Sequence, residues 1–149
     1  MDKIIYESIL LKCNPQRAFD MFTMNEHWEK WLTVAADVDP VVGGKYELFW
    51  VPDDRENDST IGCKVLAVQP GKLLSFEWKG PKQFKHFMNN ARPLTNVVVS
   101  FIHTEEGTEV HLLHTGWRDT PEWEEARQWF ITQWKATFSE LEKYVIQNI

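Results

Sequence analysis

The final third of the chain constrains the fold most. Residues 95–104 and 108–117 alternate in the manner of paired strands, with Glu105-Glu106-Gly107 between them, and this predicts a β-hairpin. After Thr120-Pro121, the side chains Trp123, Arg127, Phe130, Trp134, Phe138, Leu141 and Val145 recur at steps of three and four. That spacing places them on one face of a single long helix. A helix with so bulky a stripe needs a broad concave partner, and an antiparallel sheet curled around it supplies one. Such a pairing tends to leave space between helix and sheet, so a pocket is expected there.

The rest of the chain fits around that core. Residues 4–12 read as a strand, and Asn14-Pro15 then starts a short helix. Asn14 caps its open amides, and Pro15 fits the first helical position, where a missing N–H costs nothing. Ala18, Phe19 and Phe22 form the buried face of this helix, and a second helix over 25–32 carries Trp28, Trp31 and Leu32. A weak strand over 34–39 is followed by a Gly43-Gly44 turn into a strand at 45–51. Residues 52–59 form a charged, solvated loop, residues 60–68 a strand, and Gln69-Pro70-Gly71-Lys72 a turn into residues 73–79. The order is strand, two helices, six strands, helix. No repeat or linker interrupts it, so one domain over 1–149 is expected.

Bulk properties exclude several function classes. The formal charge of −6 argues against a general nucleic-acid binder. Residues 80–94 do interleave Lys82, Lys85, His86 and Arg92 with Phe84, Phe87 and Met88. In an acidic chain, a lid over a pocket mouth or a loop anchored by its Phe residues fits that stretch better than a nucleic-acid strip. No apolar run approaches the roughly 20 residues that span a bilayer. Met1-Asp2-Lys3 leads straight into a strand without a signal-peptide layout. Cys13 and Cys63 are too few for a disulfide framework, so two reduced thiols in a cytoplasmic protein are expected, Cys63 as a small core residue.

Read together, several motifs resemble a known superfamily. Asn14-Pro15 with Ala18-Phe19 and Phe22, followed by Trp28 and Trp31, resembles the opening of the START-like (SRPBCC) helix-grip proteins. Asp37 and Asp39 ahead of Gly43-Gly44-Lys45-Tyr46, then Gly62, Pro70, Leu73-Leu74 and Phe76-Glu77-Trp78, point to its AHSA-type branch. That branch is named for the activator of a heat-shock chaperone ATPase. Gly107-Thr108, His114-Thr115-Gly116-Trp117, and Trp134 with Leu141 continue the match along essentially the whole chain. The resemblance implies an α+β helix-grip fold: a curved antiparallel sheet wrapped around the C-terminal helix, with two short helices after the first strand. It does not imply one function, because such folds host transport, cyclisation, co-chaperone and hydrolase roles. In one departure, Gln133 precedes Trp134 where family members often carry Gly, which alters how closely the helix approaches the sheet.

Trp28, Trp31, Phe49, Trp78, Trp117, Phe130 and Trp134 are the aromatics placed to face a ligand, the alternative for each being plain core. His114 shares the inward face of its strand with Val110 and Leu112, where it either meets a ligand or acts as an acid/base, or is a satisfied interior histidine. His111 points the other way, so the two cannot share a metal, and no metal site or cofactor is expected. The partner strand has two readings. A three-residue Glu105-Glu106-Gly107 loop turns Val98, Ser100 and Ile102 inward, whereas a two-residue Glu106-Gly107 turn selects Val97, Val99, Phe101 and His103. The first is expected, because Gly107 suits a left-handed position and the resemblance agrees. It leaves Val97, Val99 and Phe101 beside Leu113 as an outer apolar patch, a surface for a homodimer.

Two functions of different classes follow. In the first, a small hydrophobic or aromatic molecule binds between the C-terminal helix and the sheet. An empty apolar cavity costs roughly 24 cal/mol per Å³, so about 300 Å³, the small end of ligand sites, costs some 7 kcal/mol. That rivals a domain's whole stability of about 5–15 kcal/mol. A pocket of that size is therefore occupied, lined with water-binding groups, or collapsed by side chains. In the second, the chain is a protein-interaction module resembling the chaperone ATPase activator in stress response. A cyclase or hydratase using His114 is a weaker third reading, since no nucleophile elbow, P-loop or dinucleotide fingerprint is present.

Overall fold

The computed structural model describes residues 3–148; Met1 and Asp2, on which the reading of the N-terminus partly rests, lie outside them. Strand β1 (Ile5–Leu11) leads into α1 (Pro15–Thr23) and α2 (Asn25–Trp31). Strands β2 (Ala35–Val38), β3 (Tyr46–Phe49), β4 (Val65–Gln69) and β5 (Leu73–Trp78) follow. A short connection containing α3 (Lys85–Met88) precedes β6 (Thr95–Thr104), β7 (Gly107–Thr115) and α4 (Pro121–Gln147). Five strands form one antiparallel sheet in the order β1-β7-β6-β5-β4, while β2 and β3 pair separately. Isolated bridges, Lys45 to Lys64 and Phe49 to Ser59, tie that hairpin to the following segment. The α+β helix-grip arrangement is thus present.

Local chemistry sets the element ends. The Asn14 side chain accepts from the Arg17 amide at 2.8 Å, with Pro15 opening α1. Thr120 does the same for α4, accepting from the Trp123 amide at 3.3 Å ahead of Pro121. Residues 60–64, expected to extend β4, do not pair as a regular strand. There the Thr60 hydroxyl accepts from the Leu48 amide and donates to the Tyr46 carbonyl, both at 2.8 Å. Such side-chain bonds offer the backbone an alternative to the ladder.

Helix α4 buries Trp123, Ala126, Phe130, Trp134, Phe138, Leu141 and Val145 against the concave sheet face. Ala126 takes the place on this stripe where Arg127 was expected. Arg127 instead grips Glu124 through two bonds of 2.8 and 2.9 Å, holding that carboxyl well below the usual carboxylate range.

The last hairpin corrects the expected register. Thr104 pairs with Gly107, so the turn is Glu105-Glu106 alone, and Val97, Val99 and Phe101 stand opposite His114, Leu112 and Val110. Val97, Val99 and Phe101 are therefore buried under the helices, and Val98, Ser100 and Ile102 face outward. The outer patch expected from Val97, Val99 and Phe101 does not exist. Gly107 stands in the ladder at the start of β7, with a positive φ of 146° that favours glycine, and a Cβ there would lie 2.2 Å from the Leu11 carbonyl oxygen. The glycine is required by the close passage of β1, so its identity misreports the loop length.

Candidate functional site

A cavity of about 330 Å³ opens between α4, the end of β5 and the loop after β3. Helix α4 presents Trp129, Gln133 and Thr137 at intervals of four, beside the deeper Phe130 and Trp134. Across from them stand Trp50 and Trp78, with Leu32, Val51, Gly80 and Pro81 closing the sides. Trp78 sits between two other indoles, its ring centroid 5.2 Å from Trp134 and 6.3 Å from Trp50. The polar atoms at the rim are largely engaged. The Lys79 ammonium donates to the Ile61 carbonyl at 2.5 Å, and the Asp58 carboxylate accepts from the Lys82 amide at 2.8 Å.

Of the eight residues expected to face a ligand, Trp78, Phe130 and Trp134 line this cavity. The other five lie elsewhere, each for a definable reason. Trp28 and Trp31 close the C-terminal end of α1, donating from Nε1 to the carbonyls of Phe22 at 2.8 Å and Met21 at 3.0 Å. Those carbonyls have no partner within the helix, so the indoles satisfy a backbone need. Phe49 is buried on the other side of its strand from the cavity, with the Arg55 guanidinium 4.2 Å over its ring. Its neighbour Trp50 takes the cavity position. Trp117 donates to the His114 carbonyl at 3.0 Å and packs beside Trp123.

His114 has no exposed surface and does not reach the cavity. Trp134 Nε1 donates to its Nδ1 at 3.0 Å, and since an indole can only donate, His114 must carry its proton on Nε2. That proton is directed at Thr95 Oγ1, also 3.0 Å away. The imidazole is thus a neutral link between α4 and β6, enclosed by Trp117, Phe130 and Trp134. Burial pushes its pKa down to about 3. A satisfied interior histidine describes it better than an acid/base.

Sequence reasoning missed Trp50, Trp129 and Leu32. Trp129 was legible in principle, because Trp129, Gln133 and Thr137 form a second stripe beside the core stripe of α4. Gln133 stands on the cavity mouth, so the departure at this position is a cavity feature. The 80–94 connection is anchored rather than open: Phe84 and Met88 are buried, and Phe84 and Phe87 pack edge-on against Trp129 and Trp123 of α4. Glu47 and Glu77 point away from the cavity, accepting from the amides of Gly62 and Lys64. Burial pushes the Cys63 thiol up to about 12, consistent with a small, unreactive core residue. Among the described residues, no group of three or more His, Cys, Asp or Glu side chains could hold a metal ion, and no helix is long and apolar enough to cross a membrane.

Comparison with solved structures finds this architecture repeatedly. A crystal structure of a Mesorhizobium loti protein aligns with a TM-score of 0.77 at 21% identity, covering 98% of each chain. The solution structure of the Aha1 dimer from Colwellia psychrerythraea gives 0.71 at 18% identity over 96% of each chain. An AHSA1-like protein from Rhizobium etli gives 0.67 at 18% identity, covering 97% of this chain and 82% of that one. At these identities the likeness establishes the fold alone. A search of curated proteins finds no match. The family described as "Activator of Hsp90 ATPase homolog 1-like protein" matches residues 12–146. That span runs from the end of β1 through α4 and includes every wall of the cavity, and on it the chain belongs to the AHSA1 family of activator of Hsp90 ATPase homolog 1-like proteins.

Proposed function

We propose that this protein binds a small apolar or aromatic molecule in the cavity between α4 and the sheet. The observation that carries the reading is a space of about 330 Å³ kept open beside eight tryptophans' worth of potential filler, with Trp50, Trp78, Trp129, Phe130 and Trp134 on its walls. Walls of this composition hold water poorly, and apolar surface left facing solvent is costly. Occupation by an apolar ligand removes that cost. The unpaired thiols Cys13 and Cys63 support a reducing compartment, the cytoplasm.

Native mass spectrometry of the freshly purified protein tests this directly. The expected result is a non-covalent adduct of a few hundred daltons, absent from the denatured mass. A bare native mass that stays bare after incubation with a panel of fused-ring aromatics would count decisively against the reading. The same spectrum reports whether the protein is a homodimer, which the dimeric Colwellia relative supports.

The family name favours a second reading, a protein-interaction module that stimulates a chaperone ATPase. Here the expected outcome is a rise in ATP turnover by an Hsp90-type chaperone on adding this protein. An unchanged rate at saturating protein removes it.

A further inference from the structure

We propose that Tyr6, on the outer face of the sheet, is an acyl-acceptor site: its phenol oxygen takes an acyl group from an uncharged activated ester or thioester, with His111 as the base. The site is separate from the cavity and owes nothing to it. Three side chains that neither the core nor the cavity uses are linked there. Tyr6 of β1 and Glu109 and His111 of β7 alternate onto the solvent side of the sheet. The register sets Tyr6 opposite Leu113, diagonal to His111 and within reach of it. The Tyr6 hydroxyl lies 2.6 Å from His111 Nδ1, and His111 Nε2 lies 3.0 Å from the Glu109 carboxylate. The tyrosine and histidine rings stack, with centroids 5.9 Å apart and planes 21° from parallel.

A carboxylate can only accept, so Nε2 carries the imidazole proton and Nδ1 is left to accept from the phenol. Nucleophile, base and a group that orients the base are thus in line. In the step, the phenol oxygen attacks the acyl carbon as its proton passes to Nδ1. The new C–O bond forms, the bond to the leaving alcohol or thiol breaks, and the imidazolium returns the proton to that leaving group. Glu109 stabilises the imidazolium in between. The other two tyrosines lack part of this set. Tyr144 is 2.8 Å from His27 Nδ1, but among the described residues nothing is bonded to His27 Nε2. Tyr46 is buried and donates to the Phe22 carbonyl. Tyr6 is 54% exposed and open to a donor. Glu109 also lines a surface depression with Ser8, Leu10, Glu105 and Glu106, and three carboxylates there repel an anionic donor.

Peptide mapping after brief exposure to p-nitrophenyl acetate reads all three tyrosines in one molecule. Tyr6 is expected to be O-acetylated roughly tenfold faster than Tyr144, which has a base but no carboxylate, a ratio matching one charge-assisted hydrogen bond. His111→Phe keeps a ring stacked on Tyr6 and removes the base, so the Tyr6 rate should fall on the order of 100-fold. Glu109→Gln should lower it roughly tenfold, and Glu109→Asp should restore most of the rate. Tyr144 should react at the same rate in all of these proteins, whereas a general loss of structure would move both tyrosines together. Acetyl phosphate, an anionic donor, should show no preference for Tyr6, and the same preference from it would overturn the donor class. Equal acetylation of Tyr6 and Tyr144 in the wild type, or a Tyr6 rate untouched by His111→Phe, overturns the inference and leaves the cavity reading as it stands.

Discussion

Lowering the pH from about 7.5 to about 4.5 is expected to remove some 3 kcal/mol of folding stability through His114 alone. The folded protein holds this imidazole neutral, with its pKa depressed to about 3 by burial, whereas in the unfolded chain it titrates near the ordinary imidazole value of 6.5. Between those two values the unfolded state binds a proton that the folded state refuses. The stability is therefore complete above about pH 6.5 and is lost progressively as the pH falls towards 3. Over the whole window the loss is on the order of 5 kcal/mol, comparable with the entire stability of a marginal domain. Protonation also breaks the Trp134 bond, since Nδ1 would become a donor facing a donor.

Urea denaturation at a series of pH values, on the wild type and on His114→Gln, measures this effect. The difference between the two proteins should shrink steadily below pH 6.5, because the variant lacks the titrating group. Parallel curves would show that His114 titrates in the folded state as it does in the unfolded chain, and would sink the assignment. Comparing the two proteins cancels the carboxylates, Glu124 among them, that also lose stability in acid.

Trp28→Ala is expected to cost about 4 kcal/mol, in the range for buried Trp truncations. Trp28 is fully buried, stacked on Trp31 with ring centroids 4.5 Å apart and meeting Phe22 edge-on at 5.6 Å. Its Nε1–H shares the Phe22 carbonyl with the Tyr46 hydroxyl, which donates at 2.6 Å. Because Tyr46 remains, Trp28→Phe leaves that carbonyl satisfied and should cost only about 1–2 kcal/mol, mostly from lost volume. The contrast between the variants separates packing from hydrogen bonding. A cost below about 1 kcal/mol for Trp28→Ala, read from urea midpoints, would mean that α1 and α2 are not the joint anchor described here.

These two residues also show where reading the chain stops. Both were legible as aromatic and inward-facing, and both stood as candidates to meet a ligand, with plain core for Trp28 and a satisfied interior histidine for His114 as the alternatives. Trp28 instead serves the end of α1, six residues back in the chain, and His114 serves a bond to a helix that begins beyond it. Whether an inward aromatic meets cavity or backbone depends on what stands opposite, and that partner comes from another element. The cavity has the same character. It exists where Trp129, Gln133 and Thr137 face Trp50 and Trp78, residues at least a third of the chain away in sequence.

Periodicity and capping are local, so the sequence by itself determined the elements: the stripe of α4, the Asn14-Pro15 and Thr120-Pro121 starts, the turn at Gln69–Lys72, and the helix-grip resemblance that orders them. Tertiary structure decided the rest. The faces of β6 hung on a single residue in a turn: one alternation carries Val97, Val99 and Phe101, the other Val98, Ser100 and Ile102, and the structure buries the more apolar of the two. The choice fell to Gly107 passing under the Leu11 carbonyl, and to the burial available beneath α1 and α4. Contacts of that kind join residues nearly a hundred positions apart, and no local pattern encodes the distance between them.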